Sequence, residues 1–430
     1  MTQPLSSQPA TSRRDFLTAS AVAAGATLLG TLPAVHAAGG DTLKVGLVGC
    51  GGRGTGAATQ AMNADPNVKL FAMGDAFADR LQGSLEQLKS DGAIKAKIDV
   101  APDRCFTGFD AYKQVIACCD VVLLCSPPHF RPDHIKAAIE AGKHVFCEKP
   151  VATDSHGVHS VLDSCRKAKD KNLSIVSGLC YRYEHGKRET MKRVHDGQIG
   201  DIVAMHTNYL ARGLWHKPRK EGWSDMEWQL RNWLYFTWLS GDHIVEQHIH
   251  SLDKMAWAMK DAHPLKAVGL GGRQSRTGDE FGHIFDHHSV IFEFPGGVKL
   301  FSFTRQQNGT DTDVNDYLIG TKGTCSVQQH SITGEKPWSH VKQKGDRDDM
   351  YQNEHDEFFA SIRAGKPINN GEYMAQSTLM AIMGRMATYT GKVITWNMAL
   401  NSKEDLRPEK YEFGAMPLPA VAKPGVTKYV

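Results

Sequence analysis

Lys149 is the residue of this chain whose type and setting best fit acid–base chemistry. It stands between Glu148 and Pro150, directly after a short apolar segment from His144 to Cys147 that reads as a buried strand. Such a strand brings these side chains to the carboxyl edge of a sheet, where ligands bind in doubly wound folds. Burial and a neighbouring positive charge both disfavour an ammonium ion, so an amine placed there can serve as a base near neutral pH. We therefore predict that Lys149 removes a proton from a hydroxyl group.

A histidine-rich segment, GDHIVEQHIHSLDKMAWAM (241–259), holds the second set of candidates. Histidine titrates near neutral pH without help, so His250 can share or relay a proton. Glu246 precedes it by four residues and would lie on the same face of a helix. With His243 and His248 this pair could also be read as a metal site. The chain lacks the cysteine and histidine spacing of zinc sites, and we predict no metal.

A glycine turn directly after the first apolar strand indicates a nucleotide site. Gly49, Gly51 and Gly54 match G-x-G-x-x-G between a strand from Leu43 to Val48 and a helical pattern. Glycines there allow a tight turn and a close approach of the backbone to a pyrophosphate at the helix N-terminus. The predicted cofactor-binding residues are Gly49, Cys50, Gly51, Gly52, Arg53, Gly54, Asp75, Arg80, Ser126, Pro127, His129, Glu148 and Lys149.

Asp75 predicts which dinucleotide binds. It ends the second strand, 26 positions after Gly49, near the spacing at which a carboxylate accepts hydrogen bonds from the adenosine ribose. A carboxylate repels a 2′-phosphate, so we predict NAD, while Arg80 leaves NADP possible.

The order of elements predicts an α/β protein with two domains. Apolar segments, such as the one in DVVLLCSPPHF (120–130), alternate with helical patterns, which indicates a Rossmann doubly wound parallel sheet over 40–178. Residues 179–400 mix alternating strands with helices and predict an α/β domain with an open, mainly antiparallel sheet. We expect 401–430 to be an extended tail.

Substrate recognition is predicted from aromatic and cationic side chains after the first domain. Five of the eight tryptophans lie in 210–238. Trp215 and Trp223 lie in a loop and are candidates for a pocket that stacks on sugar rings, whereas Trp228, Trp233 and Trp238 are expected in the core. The predicted substrate-binding residues are Tyr181, Arg182, Arg212, Trp215 and His250.

Composition excludes several classes of partner. The net charge is +3 with acidic and basic residues mixed along the chain, so neither nucleic acid nor a membrane surface is expected as a partner. The nine cysteines are odd in number and fall mostly in apolar segments, which favours reduced core residues over a disulfide framework. His283, His287 and His288 are expected to line strands.

The N-terminus resembles a twin-arginine export signal. SRRDFL (12–17) precedes an apolar stretch from Ala19 to Leu32, which at fourteen residues is shorter than a membrane span. We expect cleavage near Ala37, with 1–37 as the signal peptide, recognition by the twin-arginine export machinery and a periplasmic or secreted product. Export in the folded state would let the protein carry a tightly bound cofactor.

The motifs VGLVGCGGRGTG, LLCSPPHFRPDHIKAAIEAGKHVFCEKP and EQHIHSLD together resemble the glucose-fructose oxidoreductase and inositol dehydrogenase family (Gfo/Idh/MocA) over nearly the whole mature chain. The resemblance implies an NAD(P)-dependent oxidoreductase of sugars, polyols or related rings, and a homo-oligomer that uses the open sheet. By position it implies that His250 is an acid/base residue and that Glu246 orients it. The family commonly has Asp at that position, so Glu246 is a departure.

A cofactor that stays bound must be returned to its starting state in each cycle. A second carbonyl substrate can do this, as in glucose-fructose oxidoreductase. In NAD-dependent glycosidases that resemble the family, one ring is oxidised, loses its aglycone, adds water and is reduced again. A sugar-binding protein on a retired enzyme scaffold is a third reading, which the intact glycines, Asp75, Lys149 and His250 disfavour.

Overall fold

The computed structural model describes residues 41–341, 345 and 347–430. The predicted signal peptide lies outside them and stays a prediction. The first sheet has six parallel strands in the order β3-β2-β1-β4-β5-β6. Its strands are β1 (Leu43–Val48), β2 (Val68–Asp75), β3 (Cys105–Thr107), β4 (Val121–Leu124), β5 (His144–Cys147) and β6 (Ile175–Ser177). Its helices are α1 (Gly52–Ala64), α2 (Ala78–Ser90), α3 (Ala111–Cys118), α4 (Arg131–Glu140) and α5 (Ser155–Asp170).

The central strands are apolar because both faces of this sheet are covered. Along β4, Val121 and Leu123 pack into one core cluster while Val122 and Leu124 pack into the other. A strand buried on both faces loses the polar alternation of a surface strand. Ligands can therefore reach this sheet only at the ends of its strands. The carboxyl ends of β1, β2, β4 and β5 lie side by side on the same side of the sheet.

The second sheet has nine strands in the order β14-β13-β12-β11-β7-β10-β9-β8-β15. They are β7 (Ile202–Ala211), β8 (Lys266–Gly272), β9 (His287–Glu293), β10 (Lys299–Gln306), β11 (Asp313–Gly320), β12 (Gly323–Ser326), β13 (Ser331–Gly334), β14 (Trp338–Ser339) and β15 (Ile394–Thr395). Apart from β7 with β10, its neighbours pair antiparallel. The predicted fold class is confirmed.

Eight α-helices follow the first sheet within the described residues. They are α6 (His185–His195), α7 (Asp225–Arg231), α8 (Thr237–Ser240), α9 (His243–Glu246), α10 (Ile249–Ala258), α11 (Met350–Arg363), α12 (Gly371–Thr390) and α13 (Trp396–Leu400). Phe358, Phe359 and Ile362 of α11 belong to the same core cluster as β1, so this late helix packs against the first domain. Residues 401–430, all described, form no helix or strand.

One face of the nine-stranded sheet packs on α10 and α12, and the other carries exposed apolar side chains. Cross-strand register aligns Val268, Ile291 and Phe301 in one row, and Leu270, Phe303 and Ile319 lie on the same face. We call these six residues the open face. Among the described residues, no helix is long and apolar enough to cross a bilayer.

Candidate functional site

The glycine turn leaves room where a bulky group must approach. Gly49 has φ +93°, and a Cβ there would lie 2.4 Å from the Ser126 nitrogen. A Cβ on Gly54 would lie 1.9 Å from the Gly49 carbonyl oxygen, so helix α1 packs directly on the turn. At Gly51 and Gly52 an added Cβ would meet no described atom within 4 Å. The turn is therefore closely packed at Gly49 and Gly54 and open at Gly51 and Gly52, which fits a pyrophosphate at the N-terminus of α1.

Asp75 is held at the end of β2 by the backbone. Its Oδ2 accepts a hydrogen bond from the Cys50 nitrogen (2.6 Å) and its Oδ1 accepts one from the Phe77 nitrogen (2.9 Å). Burial raises the pKa of Asp75, and these two hydrogen bonds oppose that shift. The carboxylate is therefore fixed beside the turn, in the place where it can accept a hydrogen bond from a ribose hydroxyl.

A cavity of about 500 Å³ runs along this edge of the sheet. Its lining includes the predicted cofactor residues Gly49, Gly51, Gly52, Arg53, Gly54, Asp75, Arg80, Ser126 and Pro127. The other four predicted cofactor residues are not among the lining residues: Cys50, His129, Glu148 and Lys149. The Cys50 side chain is buried, and Nε2 of His129 lies 2.8 Å from the Tyr411 hydroxyl. The prediction that the His129 side chain contacts the cofactor does not fit this placement, because the C-terminal segment covers the ring.

Arg53 connects the cavity to the end of β5. Its guanidinium forms an ion pair with Glu148, and one terminal nitrogen lies 3.4 Å from Oε1 of Glu354. Burial opposes ionisation of Glu148, but the charges of Arg53 and Lys149 hold its pKa below the usual value. Glu148 therefore positions Arg53, and its Oε2 also accepts a hydrogen bond from the backbone nitrogen of Lys149 (3.1 Å). Sequence reasoning missed Glu354, which lies on α11 far along the chain.

The Lys149 amine is fixed by Glu246. Its Nζ donates hydrogen bonds to Oε1 (2.9 Å) and to the backbone carbonyl (2.7 Å) of Glu246, and both side chains are mostly buried. The resemblance implied that Glu246 orients His250. The carboxylate bonds Lys149 instead, so the longer side chain of glutamate gives the lysine a partner.

His250 lies beside Lys149 as an uncharged ring. Burial, followed by the charges of Lys149 and Lys254, lowers its pKa well below the usual value. Within the described part of the chain its Nδ1 is buried and has no hydrogen-bond partner. The Tyr181 ring meets it edge-on at 5.2 Å between centroids. The imidazole is therefore neutral at pH 7 and held by an aromatic neighbour.

The remaining predicted substrate residues separate into three environments. Trp215 lines the cavity, and Arg212 is exposed. Arg182 is buried, with its guanidinium bonded to Asp253 and Asp261. Its Nε and Nη2 are therefore already bonded to carboxylates within the protein, which contradicts the prediction that Arg182 binds substrate.

The tryptophan predictions are corrected at two positions. Trp228 and Trp238 are buried as expected. Trp223 packs under the Arg231 guanidinium, which lies 4.9 Å from its ring centroid, and is not among the residues that line the cavity. Trp233 is only half-buried and lines the cavity with Trp215, so its assignment to the core is wrong. A tryptophan just after a short helix has no periodic signal that could have revealed this.

Potential metal ligands meet at one buried point within the described residues: Asp242, His243 and His288. The Asp242 carboxylate already accepts hydrogen bonds from the Phe285 nitrogen (2.9 Å) and the Tyr389 hydroxyl. Burial opposes its ionisation, yet His288 and His243 hold the pKa of Asp242 well below the usual value. This network links α9 to β9, and the prediction of no metal stays a prediction.

Comparison with known proteins identifies the family. Residues 43–175 match the Gfo/Idh/MocA model, described as an oxidoreductase family with an NAD-binding Rossmann fold. An inositol 2-dehydrogenase of Cereibacter sphaeroides is 31% identical over 291 residues, covering 67% of this chain and 74% of that protein. The chain therefore belongs to this oxidoreductase family.

Two further relatives bear on function and fold. A 2,7-anhydro-N-acetylneuraminate hydratase of Escherichia coli is 26% identical over 50% of this chain and 53% of its own length, so this chain spans about half of that relative. The structure of scyllo-inositol dehydrogenase from Lactobacillus casei with bound NAD(H) and scyllo-inositol has a TM-score of 0.63 at 20% identity, covering 83% of this chain and 100% of that chain. The second match shows that the fold is shared.

Proposed function

We propose that this protein is an NAD-dependent dehydrogenase that oxidises a secondary alcohol on a hydroxylated ring, with inositols as the first candidates. The observation that carries the proposal is the placement of the Lys149 amine, held by Glu246 beside neutral His250, at the same sheet edge as the glycine turn and Asp75. The inositol dehydrogenases among the relatives support the substrate class.

The residues divide the work of binding and proton transfer. Bound NAD would accept the hydride. The glycine turn and Asp75 would hold the pyrophosphate and the adenosine ribose. Lys149 accepts the proton of the hydroxyl that is oxidised, and Glu246 keeps its Nζ at the sheet edge. His250, being neutral, can take a hydrogen bond from the same or a neighbouring hydroxyl.

The proposal predicts which nucleotide the purified protein contains. Denaturing the desalted protein should release NAD or NADH and little NADP, because the Asp75 carboxylate in the cavity lining would repel a 2′-phosphate. The released nucleotide is identified by chromatography and mass spectrometry. Adding myo-inositol or scyllo-inositol to protein loaded with NAD should then produce the absorbance of reduced nicotinamide. Protein that neither contains nor binds a dinucleotide would contradict the proposal.

A second candidate is a reaction with no net oxidation, in which a glycoside or anhydro sugar is oxidised, undergoes elimination and hydration, and is reduced again. The E. coli hydratase and a glycosyl hydrolase family 109 protein of Streptomyces coelicolor, 29% identical over 39% of this chain and 34% of its own length, support it. Turnover of a glycoside without lasting reduced nicotinamide would select this reaction. Stoichiometric reduction by an inositol would select the dehydrogenase.

We also propose that the open face packs against a second copy of the chain. Its six apolar residues share one face of β8, β9, β10 and β11, an arrangement that a monomer would expose to water. Light scattering should give the mass of a dimer or a larger oligomer. Glutamate at both Leu270 and Phe301 should lower that mass, whereas Val341→Glu, at an exposed position outside the sheet, should leave it unchanged. A monomeric unmodified protein would contradict this proposal.

A further inference from the structure

The second domain supplies one wall of the dinucleotide cavity. Trp215, Lys217, Leu230, Arg231 and Trp233 line it opposite the glycine turn, Asp75 and Arg80. The rings of Trp215 and Trp233 lie 6.4 Å apart between centroids, and Trp215 is 43% exposed. Two large aromatic rings thus face a cavity that the Rossmann motif alone does not close. We call Trp215, Arg231 and Trp233 the clamp.

The loop that carries Trp215 is held in place although residues 212–220 form no helix or strand. The Lys217 nitrogen donates to Oδ1 of Asn232 (2.8 Å), and Nδ2 of Asn232 donates to the Lys217 carbonyl (3.0 Å). The Tyr235 hydroxyl donates to the Trp215 carbonyl (3.0 Å). Asn232 and Tyr235 are buried, so these hydrogen bonds tie the loop to the segment that carries Trp233.

That segment is attached to the first domain by a salt bridge. The two terminal nitrogens of Arg231 lie 3.0 and 3.1 Å from the carboxylate oxygens of Asp79, at the start of α2. The guanidinium also lies 4.0 Å from the centroid of the Phe77 ring, two residues after Asp75. A paired carboxylate and an aromatic face together fix the planar guanidinium. The clamp therefore lies directly over the end of β2.

The C-terminal tail, residues 401–430, packs on the outside of the contact between the clamp and the first domain. The Phe413 ring lies 5.7 Å from Phe77 and 5.1 Å from Phe109, both of which line the cavity. The Met226 nitrogen donates to the Gly414 carbonyl (3.1 Å), which ties the tail to α7. Nearer its start, Glu404 pairs with fully buried Arg385. The tail is thus anchored to the second domain and packed against the first.

We propose that the clamp is a binding site for the adenosine half of the cofactor, and that the Arg231–Asp79 pair and the tail keep it closed so that the dinucleotide dissociates slowly. A purine ring is the part of a dinucleotide that stacks on aromatic side chains. Lys217 and Arg80 also line the cavity, and their positive charge would favour the phosphates of the same ligand. The inference rests on the proposed dinucleotide cofactor and extends it to residues outside the Rossmann motif.

The test measures cofactor dissociation and not activity. Protein loaded with radiolabelled NAD is chased with excess unlabelled NAD, and the label remaining is followed after rapid desalting. Replacing Trp215 and Trp233 together with alanine should raise the dissociation rate by about 10- to 100-fold. Phenylalanine at both positions should restore most of the retention, because it keeps an aromatic face. Asp79→Asn should raise the rate by up to about fivefold, the range of a solvent-exposed ion pair.

Matched controls separate the clamp from the cofactor proposal. Asp196→Asn breaks an exposed ion pair with Lys192 on α6 and should leave the dissociation rate unchanged. ADP-ribose, which lacks the nicotinamide ring, should show the same loss of affinity in the alanine variant as NAD. An unmodified protein that binds no NAD would remove the cofactor proposal. Retention by the folded alanine variant at the unmodified rate, with folding checked by circular dichroism, would overturn the clamp alone.

Discussion

Replacing Lys149 with alanine should slow the reduction of bound NAD by the preferred polyol by about 10² to 10⁴, the usual contribution of a positioned acid or base. The reason is that the variant lacks the amine that Glu246 holds at the sheet edge. Single-turnover absorbance of reduced nicotinamide measures the rate. The bound dinucleotide should be largely retained, because the glycine turn, Asp75 and the cavity wall remain in place.

Two further variants decide what Lys149 contributes. Lys149→Gln keeps a donor for Glu246 but cannot take a proton, so it should be as slow as the alanine variant. Lys136→Ala removes an exposed lysine of α4 that pairs with Glu140, and its rate should equal that of the unmodified protein. A fast Lys149→Gln variant would make the lysine a positioning residue. A fast Lys149→Ala variant would remove it from the mechanism.

His250→Ala should lose less activity than Lys149→Ala, since the lysine still takes the proton. The lowered pKa of His250 means that its ring stays neutral below pH 6.5, where an exposed histidine would be charged. The contribution of the ring to the rate should therefore persist through mildly acidic pH.

The first domain could be predicted because its signals are local. The glycines, the strand before them and Asp75 fall within a few dozen residues, and the backbone hydrogen bonds from Cys50 and Phe77 to Asp75 follow from that short connection. Lys149 is also a local prediction, since a strand end determines which sheet edge it reaches. Each of these placements depends on one βα unit, so the order of residues is enough to infer it.

The parts of the site that were missed depend on contacts between distant segments. Glu354 reaches Arg53 from 301 positions away, because α11 folds back on α1. The wall formed by Trp233 and Arg231 depends on how the second domain packs on α2, which no local pattern encodes. The role of Glu246 changed for the same reason: the direction of its carboxylate depends on where β5 ends relative to α9.

Arg182 is the clearest case in which residue type suggested binding and packing determined another role. Its guanidinium lies 2.9–3.1 Å from the carboxylate oxygens of Asp253 and also bonds the Asp261 carboxylate, and it packs 3.9 Å from the Tyr373 ring centroid. Asp253 is 1% exposed, and its Oδ1 also accepts a hydrogen bond from Ser377. The pair therefore joins the segment after β6 to α10 and α12.

Arg182→Ala should lower the free energy of unfolding by about 3–5 kcal/mol, because it leaves the Asp253 carboxylate buried without its counter-charge. Urea denaturation followed by circular dichroism measures this change. Arg212→Ala, at an exposed position, should change the free energy of unfolding by less than about 0.5 kcal/mol. In the fraction of Arg182→Ala that folds, the KM for the polyol should be unchanged. A stable Arg182→Ala protein with a raised KM would restore Arg182 as a substrate ligand and contradict the role that its buried contacts assign.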